Sequence, residues 1–63
     1  MPFAMRDVIE RTAVPEGVSL SANLLHDRIE VFREDKWMGA ILRRQIDDAN
    51  GRIDKLLKHI LNA

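Results

Sequence analysis

Side-chain catalysis needs a nucleophile or a metal ion, a base tuned to work beside it, and a concavity to hold both. The inventory is short. Ser19 and Ser21 are the only serines, Thr12 is the only threonine, and cysteine is absent. The missing cysteine removes thiol nucleophiles, disulfides and thiolate-held metal together. His26 lies five residues beyond Ser21, on a different face of any helix carrying both, so the spacing assembles no Ser–His pair. Ser19 or Ser21 is read instead as a helix cap, its hydroxyl accepting from an otherwise orphaned amide. His26 and Asp27 form a doublet that can ligate a metal, but the further ligands are missing, and the other histidine, His59, stands 33 residues away. Asp47, Asp48 and Asp54 gather three carboxylates in one segment, which without a concave site hydrate rather than react. Gly17, Gly39 and Gly51 are isolated, so no phosphate-cradling loop exists, and 63 residues are too few for a dinucleotide-binding domain. The expectation is no enzyme, no metal and no cofactor.

Binding chemistry is the alternative. Arg43, Arg44, Lys55 and Lys58 give the C-terminal half its candidate nucleic-acid contacts. Asp47, Asp48 and Asp54 intrude among them, and recognition helices seldom carry acid in their contact surface. A ribbon-helix-helix dimer would place Val18 to Ser21 in a groove, where its reading side chains would be two serines. Ten basic and ten acidic side chains balance, so no overall field draws the chain to phosphate. A small dimeric DNA-binding regulator or antitoxin is therefore the second reading. A membrane-surface role fares worse, because three acids share the polar face of the one amphipathic segment.

These residues must be positioned by elements that a short chain can stabilise. At 63 residues and 46% apolar content the chain is a single domain, near the size where a second chain often completes the core. Charge is balanced in total and separated in space. Residues 1 to 35 hold four arginines against seven acids, net −3, and residues 36 to 63 hold six basic residues against three acids, net +3. The halves attract, through a fold-back or an antiparallel partner. No apolar run reaches the eighteen residues that span a bilayer and the first ten residues lack a signal-type apolar core, so a cytoplasmic location is expected.

Phe3, Val8 and Ile9 at helical spacing, with Arg6/Glu10 and Asp7/Arg11 four apart, predict a short helix within residues 1 to 13. Pro15 and Gly17 break it, and residues 14 to 21 are read as a loop, the alternation of Val18 to Ser21 being either a strand or an extended approach. Leu25, Ile29 and Phe32, at steps of four and three, predict a second helix over 22 to 35, and residues 36 to 41 a turn or hinge. Leu42, Ile46, Ala49, Ile53, Leu56 and Ile60 recur at four, three, four, three and four, the seam of one amphipathic helix over 42 to 61. Asn50–Gly51 is a turn signal, but the periodicity runs through it, so the helix is expected to continue at a cost of about 1 kcal/mol for the glycine.

The expected architecture is all-α: a short N-terminal helix followed by a helical hairpin, completed as a dimeric helical bundle with coiled-coil-like packing. The expected function is a non-catalytic protein-interaction or regulatory module acting through its apolar helical face. The seam residues, with Trp37 and Met38, form the candidate partner interface, engaging a second copy or another protein.

Overall fold

The computed structural model describes residues 3 to 62 and shows a mixed α/β fold. In chain order the elements are α1 (Met5–Arg11), β1 (Val18–Asn23), β2 (Arg28–Arg33), β3 (Lys36–Leu42), α2 (Arg43–Asp48) and α3 (Asp54–Leu61). The strands form one antiparallel sheet in the order β1-β2-β3. The all-α bundle and coiled coil expected from the sequence are thus wrong, and the error has local causes.

α1 falls within residues 1 to 13, where a short helix is expected, and α2 and α3 fall within residues 42 to 61. Residues 22 to 35, expected as a helix, contain the end of β1, a turn and β2. Leu25, Ile29 and Phe32 fit the helical step, but Arg28-Ile29-Glu30-Val31 also alternates with period two, and β-branched Ile and Val favour a pleated surface. The strand period decides burial: Ile29 and Val31 are wholly buried while Arg28 and Glu30 are only partly covered. Residues 36 to 41, expected as a hinge, are most of β3. The turn before it is Glu34–Asp35, both at positive φ (49° and 65°), the backbone sign of the tight turns that suit strand twist. Residues 18 to 21 are strand, and Ser19 and Ser21 face out from β1 instead of capping a helix.

The long C-terminal helix is also broken. Asn50 and Gly51 adopt φ of 56° and 78°, and their amides donate to Asp47 O (3.0 Å) and Ile46 O (2.8 Å). Those two bonds are the Schellman termination of a helix, satisfying carbonyls that α2 would otherwise leave open. Across this turn the burial pattern changes phase. Ile46, Ile53, Leu57 and Leu61 are buried, Leu56 and Ile60 are half-buried, and Leu42, at the end of β3, is exposed.

One face of the sheet is covered by helices, α1 lying against β1 and both α2 and α3 against β3. Val18, Ile29, Val31 and Ile41 from the strands meet Met5 and Val8 of α1, Ile46 of α2, and Ile53, Leu57 and Leu61 at α3. Gly39 makes room for this layer, since a Cβ there would lie 3.2 Å from Ile60 Cγ2. No polar side chain is buried among the described residues. Each fully buried aliphatic side chain contributes about 1.5 to 3 kcal/mol, so the chain assembles a core by itself.

Candidate functional site

The other face of the sheet is bare of helices. Strand alternation brings Ser19, Ser21 and Asn23 of β1 beside Phe32, Glu30 and Arg28 of β2, which in turn pair with Trp37, Ala40 and Leu42 of β3. Trp37 reaches this face through a β-bulge. The register of β3 shifts between Val31, opposite Gly39, and Phe32, opposite Trp37, leaving Met38 as the extra residue. Simple alternation from inward-facing Gly39 would have pointed Trp37 into the core; the bulge turns it out and leaves Met38 packed against the core instead.

Glu30 stands at the centre of this face and uses both oxygens. Its Oε2 accepts from Asn23 Nδ2 and from Arg28 Nε, each at 2.8 Å, and its Oε1 accepts from Trp37 Nε1 at 2.8 Å. Three donors from three strands stabilise the carboxylate form. Asn23 contributes most, then Trp37, then Arg28, and the Glu30 carboxyl is held down at about 2. Glu30 therefore remains an anion throughout ordinary pH, and it fixes the tryptophan ring and the arginine stem on the open face.

The β1–β2 turn is a second feature. Asn23 Oδ1 accepts from His26 N–H at 3.1 Å, closing a turn that ends on Asp27 at φ 54°. Leu24 and Leu25, between them, are 74% and 87% exposed. Leu42, 49% exposed, ends at the same edge of the sheet because Asn23, Arg28 and Leu42 are in register. This tip is braced rather than loose. Arg43 donates to both carboxylate oxygens of Asp27 through Nε at 3.2 Å, to Asp27 Oδ1 through Nη2 at 3.1 Å and to Phe3 O through Nη1. Asp47 lies 3.8 Å from the same guanidinium, and the contacts with Asp27 push the Arg43 pKa up.

The residues singled out in the sequence are thus dispersed. Arg43 is occupied by Asp27, Asp47 and Phe3, while Arg44 lies on α2 and Lys55 and Lys58 on α3, all three exposed. Of the expected partner interface, Ile46 and Ile53 have no exposure at all. Trp37 is on the surface at 54% exposure and Met38 is half-buried. Thr12 bonds its hydroxyl to Val8 O at 2.7 Å, at the end of α1. His26 is an exposed residue of the strand tip, and Asp47, Asp48 and Asp54 are spread over two helices. Among the described residues no three His, Asp or Glu side chains gather where they could hold a metal ion. A depression between α2 and α3 is an open surface feature lined by Gln45, Asp48, Ala49, Arg52, Asp54, Lys55 and Leu56. No helix among the described residues is long and apolar enough to cross a membrane.

The sequence does not mark Glu30, Asn23 or Leu24 as site residues, and the spacing of Leu25 suggests only a helical stripe. The signal that could have found them is the run Asn23-Leu24-Leu25-His26-Asp27, a turn-forming pair of Asn and Asp enclosing two leucines between alternating segments. Comparison of the chain with protein-family models, with curated proteins and with solved structures finds no match.

Proposed function

We propose that the protein is a non-catalytic interaction module whose contact surface is the β1–β2 tip with the adjoining outer sheet face. The carrying observation is the exposure of Leu24 and Leu25, well beyond that of the other exposed aliphatic residues described, Val14 and Leu42. Two large apolar side chains on a braced turn offer a partner about 1.5 to 3 kcal/mol each on full burial, with little ordering cost. The apolar helical face is not the surface, because Ile46 and Ile53 are spent on the protein's own core. Nor is catalysis favoured: Ser19 and Ser21 point to the open sheet face, and among the described residues no three His, Asp or Glu side chains gather.

Binding to DNA through the sheet is disfavoured by Glu30, an anion at the centre of the face that already engages its one central arginine. The experiment is a paired retention assay with wild type and Leu24→Ser/Leu25→Ser, their folding matched by circular dichroism. The reading expects saturable retention of a defined protein by wild type and its loss in the double variant. Equal retention by both, or tight binding of duplex DNA at physiological salt by both, contradicts it.

A further inference from the structure

The sheet ends on β3 at one side, and this strand has the composition of an edge that is meant to be covered. Lys36-Trp37-Met38-Gly39-Ala40-Ile41-Leu42 carries a single charge, at its first residue, and no proline. Natural edges are usually protected by charge or proline, because an unpaired row of amides and carbonyls recruits another strand. Both edge strands carry helices on the inner face, so the edges differ in their outer residues: β1, at the other side of the sheet, presents the polar Ser19, Ser21 and Asn23 there.

We infer that β3 pairs antiparallel with β3 of a second copy about a two-fold axis near Gly39, joining two sheets into one of six strands. Two complementarities favour that occupant. Trp37 and Leu42 are the large exposed apolar residues of β3, they lie on the same outer face, and they sit toward opposite ends of the strand. A two-fold axis perpendicular to the sheet keeps that face common and brings Trp37 of each copy beside Leu42 of the other. Charge follows the same symmetry. The β2–β3 turn, Glu34–Asp35, lies just before β3, and Arg44 lies just after it, so antiparallel pairing sets the acidic turn of each copy next to the arginine of the other. Asp35 and Arg44 form no ion pair within the chain among the described residues. An isologous contact uses each feature twice and closes, whereas β3 adding to β1 would run on as a filament.

The pairing shares Leu42 and part of the outer sheet face with the proposed contact surface but does not use Leu24 or Leu25, so either reading can fail alone. The test is sedimentation equilibrium of the full chain from micromolar to millimolar concentration, for wild type, Leu42→Lys, Asp35→Lys, Arg44→Glu and the charge swap Asp35→Lys/Arg44→Glu. A reversible dimer is expected, weakened at least tenfold by Leu42→Lys and by each single charge change, and restored toward wild type in the swap. Leu24→Ser/Leu25→Ser is expected to leave the dimer unchanged. Wild type that stays monomeric to millimolar concentration overturns the inference. So does a mass that climbs past two chains, or a dimer indifferent both to Leu42→Lys and to the charge changes. The swap keeps the test sharp should Leu42→Lys disturb the strand, since two changes that each weaken and together restore report on the contact and not on the fold.

Discussion

Glu30 shows how one side chain organises a surface. It collects donors from β1, β2 and β3, so its ionisation is coupled to the sheet being formed. Its carboxyl sits at about 2 in the folded chain, against an ordinary value of 4.5 when those donors are gone. A depressed folded value means that the stabilisation is complete above about pH 4.5 and is lost as pH falls toward 2. Glu30→Gln cannot titrate. Urea midpoints measured from pH 7 down to 2 are therefore expected to fall more steeply for wild type than for Glu30→Gln, with the curves converging at the acid end. Parallel curves would show that Glu30 has no such network. Because Trp37 is the only tryptophan, its fluorescence follows the same loss of structure directly at the face.

At the scale of elements, the decisive residues are those that turn the chain. Asn50–Gly51 was visible as a turn signal, yet the four-three recurrence from Leu42 to Ile60 outweighed it in the sequence reading. The structure resolves the conflict by ending α2 there and restarting as α3 in a shifted phase, a tertiary choice that periodicity alone does not encode. The two readings make opposite predictions for Gly51→Ala. In a continuous helix the change would stabilise by about 1 kcal/mol. Here Gly51 has φ 78° and a Cβ would meet Phe3 Cδ1 at 2.9 Å, so a loss of about 1 to 2 kcal/mol is expected in the unfolding midpoint. The strands were harder to read. Ile29 satisfies period two with Val31 and a helical stripe with Leu25 and Phe32, and four residues of clear alternation at Val18 to Ser21 are too few to outvote the stripe. The bulge at Met38 then reverses the face of Trp37, which alternation by itself assigns to the core.

Over the whole molecule, the sequence revealed which residues are apolar and far less about which way they face. Ile46 and Ile53 were recognised as seam residues and are indeed wholly buried, but within the chain. Leu25, whose spacing to Ile29 suggested a buried helical stripe, and its neighbour Leu24 are the most exposed large apolar residues among those described. The absence of cysteine could be read at once because it depends on composition alone. The sheet face could not, because it is assembled from three segments whose pairing is long-range. The chain is small, extending 32 × 23 × 19 Å, so helices on one side of a single sheet leave the other side open to solvent or to a partner.

The inward seam and the outward tip differ most in the solvent exposure of their methyl groups. The direct test is methyl-resolved nuclear magnetic resonance with a soluble paramagnetic probe, which broadens signals in proportion to their exposure. The account predicts strong broadening of the Leu24 and Leu25 methyls and little for those of Ile46 and Ile53. Broadening of Ile46 and Ile53 equal to that of Leu24 and Leu25 would contradict it.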